Sequence, residues 1–324
     1  MNIEDLDILF LAKFAPDNSE YPLVTEQTDG IYAQYHYDIY KILQKLCPNI
    51  ICANDPAILL NVNVHFNYVF SLLNRAPYKN SEIFISSLLE YLNIPYLGSS
   101  PNMRAIAEDK HLAKIVAQYA GLHTPLWMVV ESSESIPNTP LFEGPYFIKP
   151  RFGASSAFID ETSISNTWHE ASIQILKLQK NNLDVIVEQF VDGIYYSVPI
   201  YFKNGQIIHL PSVKEISNLK GNVVTYRQKR KLDAGLTRQI NTDSDLENEF
   251  KKLSESLLFQ LQPLDYTRLD FIVTSKHIEF IEFNLCCNLG KQSSFCIAAN
   301  EIGLCQEELV ADIFLNSLYR QKVL

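Results

Sequence analysis

The sequence predicts an α/β fold of two or three domains, and three observations predict it. Short apolar runs with strand character alternate along the chain with amphipathic, helix-like segments. The 324 residues are 47% hydrophobic, enough to bury more than one core. A dense set of breakers, Pro95-Tyr96-Leu97-Gly98-Ser99-Ser100-Pro101, interrupts the alternation where a first domain would end. No internal repeat, low-complexity block or stretch depleted of aliphatic residues suggests a solenoid or a disordered tail.

The elements follow in order. Ile8-Leu9-Phe10-Leu11 reads as a short buried strand, and Tyr37 to Leu46 as a helix closed by Pro48. Tyr68-Val69-Phe70 is a second strand, and Ile83 to Leu92 an amphipathic helix. Met103 to Ala120 predicts one helix. Leu112, Ile115, Val116 and Tyr119 form its apolar face at i, i+3, i+4, i+7, and Gly121 is its C-terminal glycine. Pro145 to Pro150 is a strand ending in Lys149, followed by a loop of small residues, Arg151 to Ala157. Asp184 to Phe190 is an apolar strand containing Glu188. Tyr196 to Phe202 and Gln206 to Leu210 flank Lys203-Asn204-Gly205, and Asn-Gly favours a type I′ hairpin. Leu269, Phe271 and Val273 alternate toward a core, which puts Arg268 and Asp270 on the opposite face. After a turn at Ser275-Lys276, a second strand carries Glu282 and Asn284, and pairing would bring all four together. Glu307 to Tyr319 is a final amphipathic helix.

Composition excludes several classes. The formal net charge of -10 argues against a nucleic-acid surface, which needs clustered Lys and Arg. The one basic run, Arg227 to Lys231, is either a solvated loop or a local anion site. Met1 to Asp7 lacks the basic start of a secretory signal, and no apolar run approaches the ~18 residues of a membrane span, so a cytoplasmic protein is expected. Cys47, Cys52, Cys286, Cys287, Cys296 and Cys305 contain no CxxC pair and read as reduced, mostly buried thiols. No histidine stands near a Ser or Cys in a nucleophile motif.

Candidate chemistry lies in three places. Asp270, Glu282 and Asn284 offer only oxygen ligands, the preference of Mg2+, against the alternative of a solvated strand face. Lys149 precedes a small-residue loop whose backbone N–H groups can approach phosphate, or which is simply a surface loop. Glu188 is an edge residue or a ligand partner.

In this order and spacing the segments resemble the ATP-grasp ligases, most closely the D-alanine–D-alanine ligase family, over nearly the whole chain and firmly from about Pro95. The residues carrying the resemblance are Ile94-Pro95-Tyr96-Leu97-Gly98-Ser99, Asp109-Lys110, Lys114, Gly121, Lys149-Pro150, Ser155-Ser156, Val187-Glu188-Gln189-Phe190, Gly193, Arg268-Leu269-Asp270, Glu282-Phe283-Asn284 and Ser293. The resemblance implies a three-domain ATP-grasp fold: a Rossmann-like domain over 1–98, a central lid domain over 99–188 and a C-terminal domain over 189–324. ATP would lie between the last two. It further implies that Lys110, Lys149, Ser155 and Ser156 meet ATP phosphates, and that Glu188, Gln189, Phe190 and Tyr195 border the base and ribose. Asp270, Glu282 and Asn284 would hold two Mg2+ ions, for which Mn2+ can substitute. Lys229 would reach the γ-phosphate, Arg268 and the Asn288 backbone N–H would stabilise an oxyanion, and Ser293 would meet a substrate carboxylate. Partners would be a small carboxylate and an amine, with no nucleic acid or membrane. A homodimer through the first domain is common in the family.

The departures concern substrate. The family's first-substrate loop is replaced by Ala12-Lys13-Phe14-Ala15-Pro16, with Glu26 a loose counterpart of its acid, and its second motif by Asn74 to Asn80. Its Pro-Gly after the E-x-N motif is Cys287-Asn288, where Asn tolerates a left-handed backbone. Phe158 stands where the phosphate loop usually has glycine, and Tyr195 where the ribose acid is expected. The expectation is a carboxylate–amine ligase acting through an acyl phosphate on a pair other than D-Ala and D-Ala. The alternatives are a silent nucleotide binder and a small-molecule kinase.

Overall fold

The computed structural model describes residues 3–16, 31–73, 82–153, 156–229 and 233–324. They form three β-sheets. The first is parallel, with β1 (Ile8–Leu11) between β2 (Ile50–Ala53) and β3 (Tyr68–Ser71). The central strand β1 is apolar and buried throughout because both of its faces are covered. Ile8 and Phe10 pack with α1 (Tyr32–Leu46), while Leu9 and Leu11 pack with α2 (Ile83–Leu92). α1 begins five residues before the expected Tyr37, because Tyr32 and Tyr35 add an apolar turn.

The expected single helix over 103–120 breaks at Asp109 into α3 (Pro101–Glu108) and α4 (Lys110–Tyr119). Asp109 is extended and caps α4 through its side chain, and it takes a two-pronged ion pair from Arg151. The expected apolar face is also corrected. Leu112, Ile115 and Tyr119 are exposed, whereas Lys110, Ala113, Lys114 and Ala117 are buried. The reason is electrostatic: the buried side of α4 supplies cations to the site below.

The second sheet runs in the order β4 (Trp127–Val130), β7 (Val185–Gln189), β5 (Tyr146–Pro150), β6 (Ile164–Ser165), all antiparallel. α5 (Trp168–Gln179) covers one face through Ala171, Ile175 and Leu178. The third sheet is larger. β8 (Ile194–Lys203), β9 (Gln206–His209), β10 (Val213–Ser217), β11 (Leu236–Ile240), β12 (Tyr266–Val273) and β13 (Ile278–Asn284) form it, with path β11-β10-β8-β12-β13 and β9 beside β8. The β8–β9 turn is the expected hairpin, with Asn204 and Gly205 at φ 51° and 73°. α6 (Tyr226–Lys229) lies in the β10–β11 connection, and α7 (Ser244–Leu258) packs Phe250 and Leu257 under the sheet.

α8 (Ser294–Glu301) and α9 (Gln306–Arg320) end the chain, and α9 returns to the first sheet, with Phe314 edge-on to Tyr68 and Phe70. Buried Asp265 locks this return. It pairs with Arg320 at 2.7 Å and accepts the Gly98 N–H, while Arg320 donates to the Gly98 carbonyl. Among the described residues no helix is long and apolar enough to cross a membrane.

Candidate active site

β12 and β13 pair antiparallel, with Arg268 opposite Asn284 and Asp270 opposite Glu282. Alternation of side chains then puts all four on one face, while Leu269, Phe271 and Phe283 fill the core behind. Arg268 grips Asp270 with two bonds, Nε to Oδ1 at 2.8 Å and Nη2 to Oδ2 at 2.7 Å. Ser197 Oγ and Asn284 Nδ2 complete the Asp270 environment at 3.1 and 3.0 Å. Burial raises the Asp270 carboxyl above its ordinary value, against the pull of Arg268. Glu282 behaves oppositely. Burial opposes its charge, but Lys110, Lys229, Lys149 and Arg268 together push it down to about 2.

Two clefts meet at this face. The first, about 1000 Å3, lies between the second and third sheets. Lys110, Lys149, Ser156, Glu188, Gln189, Phe190, Tyr195, Lys229 and Glu282 all line it. The β10–β11 connection closes over it: Gly221 has φ 64°, and a Cβ there would meet Ile164 and Phe190 across the cleft. Ser155 lies outside the described residues, as do Glu26 and the stretch from Asn74 to Asn80.

Glu188 is buried in this wall between two ammonium groups, Lys114 at 3.0 Å and Lys149 at 2.9 Å. Burial disfavours its charge, yet the two cations hold its carboxyl below its ordinary value. Burial likewise lowers Lys114, to about 8, although Glu188 pulls the other way. The triad carries one net positive charge facing a cleft, which is the electrostatics of an anion site. The sequence named Lys114 without a role, and its place on the buried stripe with Ala113 and Ala117 is legible only in the fold.

The small-residue loop turns sharply, with Ser156 at φ 55° and Phe158 at φ 60°. The second value explains why glycine suits that position. Phe158 is 58% exposed, so its ring contributes little burial. Phe158→Gly is expected to stabilise the fold by about 0.5–1 kcal/mol, the left-handed penalty less the entropy of an added glycine. Chemical denaturation measures it; a loss of stability contradicts the strain.

The second cleft, about 1520 Å3, opens between the third sheet and the carboxyl ends of β1 and β3. Arg268, Asn284, Asn288 and Ser293 line it, and Lys229 borders both clefts. Ser293 caps α8 by accepting the Cys296 N–H at 3.2 Å. Asn288 is not left-handed, contrary to expectation; its side chain instead accepts the Gly290 N–H at 2.7 Å and holds the turn locally. Two residues had no role in the sequence reading. Buried Glu215 pairs with Arg238 at 2.9 Å across β10–β11, and Arg238 also donates to the Gln292 carbonyl beside Ser293. Their signal was strand alternation, legible only once the register is known.

The donor set suits a hard cation: two carboxylates and an amide, all on one face. Among the described residues no cluster of three His, Cys, Asp or Glu competes with it.

A family model described as D-ala D-ala ligase C-terminus matches residues 116–315. The D-alanine--D-alanine ligase of Aquifex aeolicus (strain VF5) is 30% identical over 231 residues, covering 71% of this chain and 76% of its own length. That of Clostridium perfringens (strain SM101 / Type A) is 27% identical, covering 72% and 75%. The crystal structure of D-alanine--D-Alanine Ligase from Bacillus anthracis complexed with ATP shares the fold, with TM-score 0.75, 18% identity and coverage of 98% and 99%. The VanG D-Ala:D-Ser Ligase from Enterococcus faecalis matches at TM-score 0.68 and 15% identity, covering 96% and 98%.

Proposed function

The chain belongs to the D-alanine–D-alanine ligase family of ATP-grasp ligases, and we propose that it joins a carboxylate–amine pair other than D-Ala and D-Ala through an acyl phosphate. The observation that carries this reading is the Arg268–Asp270–Glu282–Asn284 face at the junction of two clefts, with Lys229 bordering both. The Bacillus anthracis structure of the same fold is complexed with ATP, which supports a nucleotide ligand for this chain.

Lys110, Lys149 and the Ser155–Ser156 loop bind the phosphates, while Glu188, Gln189, Phe190 and Tyr195 border the nucleoside. Asp270, Glu282 and Asn284 would hold two Mg2+ ions, which would neutralise phosphate charge, and Mn2+ could substitute. The protein groups around Asp270 already satisfy both of its oxygens. Arg268 grips Asp270 and lines the second cleft at the same time. There Arg268 faces the carboxylate oxygens, and Lys229 orients the transferring phosphoryl group. The acid's oxygen takes that group and ADP leaves. The amine nitrogen then attacks the acyl carbon, loses a proton, and phosphate departs from the tetrahedral intermediate. Arg268 and the turn at Asn288 stabilise that oxyanion, and Ser293 at the α8 N-terminus takes a substrate carboxylate. The substitution of the family's substrate loops by Phe14 and its neighbours supports the different pair.

Phosphate and ADP release with Mg2+-ATP, screened against pools of acids and amines, tests the reading, with Glu282→Gln as blank and EDTA as metal control. Release that needs both an acid and an amine supports it. Efficient D-Ala–D-Ala formation in preference to all other pairs overturns the choice of pair, and ADP formation without amine indicates a kinase. Lys149→Met is expected to weaken Mg2+-ATP binding by roughly 10- to 100-fold, the loss of one charge-assisted hydrogen bond. Calorimetry measures this, and the fold should survive because Glu188 keeps Lys114.

A further inference from the structure

The two walls of the second cleft differ in chemistry. One is polar: Arg268, Arg238, Asn284, Asn288 and Ser293. The other, at the carboxyl edge of the first sheet, sets an apolar and aromatic group beside Lys13, His36, Ser71 and Glu82. Phe14 follows β1, and its N–H donates to Nδ1 of buried His36 at 3.2 Å. The Phe14 ring lies 5.6 Å from the His36 ring, and Tyr32 stands edge-on to His36 at 6.2 Å and 79°. Ile31, Leu72 and Leu73 extend this surface. Phe14, Tyr32, Ile31, Leu72 and Leu73 are only half-buried and line the cleft; Tyr32, Leu72 and Leu73 also pack against the cores behind it. Apolar surface left facing water is unfavourable unless a ligand covers it.

Resting on the ligase reading, we propose that the acid bound in the second cleft carries an aromatic side chain, seated against Phe14 and Tyr32 with its carboxylate toward Arg268 and Lys229. A methyl group would cover little of this wall. A ring fits the tilted and edge-on geometry already adopted by the resident rings, which aromatic pairs prefer over parallel stacking. A cationic side chain is disfavoured because Lys13 places its ammonium 5.0 Å from the Phe14 ring centroid, where a second cation would sit. A carboxylate side chain would lose hydration against apolar groups. Crevices at the carboxyl edge of a parallel sheet are where such folds place ligands.

The test uses the full chain with Mg2+-ATP and a saturating amine pool. Phosphate release is measured with both enantiomers of alanine, leucine, phenylalanine, glutamate and lysine as the acid. One enantiomer of phenylalanine is expected to exceed alanine and leucine in kcat/KM by about tenfold or more, the discrimination one pocket supports. In Tyr32→Ala and Phe14→Ala, the KM for the aromatic acid rises about tenfold at unchanged KM for ATP, and the preference over alanine collapses; Tyr32→Phe retains it. Highest kcat/KM with alanine, leucine or a charged acid overturns the proposal and leaves the ligase reading intact. ADP release with none of the acids overturns both.

Discussion

Asp270→Asn is expected to lower ATP turnover by about 10^2- to 10^3-fold, corresponding to roughly 3–4 kcal/mol of charge stabilisation at the phosphates. The substitution removes the charge that both a cation and Arg268 use. Its amide also turns an N–H toward the Arg268 guanidinium, so the loss should appear in kcat with Mg2+ saturation shifted to higher concentration. Steady-state kinetics over a Mg2+ series reads both effects; wild-type turnover in the variant removes Asp270 from the site. The pH dependence carries a sign. Glu282, held to about 2, stays ionised throughout the working range, whereas burial raises Asp270. Protons therefore compete with the cation at Asp270 first, and the apparent KM for Mg2+ should rise as pH falls toward its raised value. A Mg2+ requirement independent of pH on the acid side contradicts that assignment.

Asp265→Ala is expected to cost about 3–5 kcal/mol of stability, the penalty of leaving a buried ion pair without one partner. Asp265 is fully buried and joins three parts of the chain: the start of β12, Gly98 at the breaker segment and Arg320 on the last helix. Its removal orphans the Gly98 N–H as well as the guanidinium. Urea denaturation measures the loss, and a change below about 1 kcal/mol would place Asp265 among ordinary surface pairs. Because α9 packs Phe314 onto the first sheet, unfolding should stay cooperative between the two ends of the chain.

Much of the site was legible before any coordinate. Period-two alternation put Arg268 with Asp270 and Glu282 with Asn284, and antiparallel pairing supplied the rest. Asn204-Gly205 made its hairpin because both residues accept positive φ at little cost. These features are local, and a few consecutive residues carry the whole signal. The helix over 103–120 shows where local signals mislead. Its periodic leucine and isoleucine positions pointed to one buried face, but the chain buries the face bearing Lys110 and Lys114 instead. Hydrophobic periodicity cannot reveal that a lysine will find a buried carboxylate on a distant strand.

The sequence by itself determined the alternation of elements and the residues that share the β12–β13 face, since each follows from short-range pattern, and the order of its motifs carried the family resemblance. Only the tertiary structure decided that Lys114 and Lys149 share Glu188, that Arg238 reaches from Glu215 to the loop of Ser293, that Asp265 ties the last helix to Gly98, and that Phe14 and Tyr32 wall one side of the second cleft. The physical reason is common to all four. Each contact joins residues far apart in the chain, and its energy depends on burial and on a partner's charge or shape, quantities that exist only after the sheets have packed.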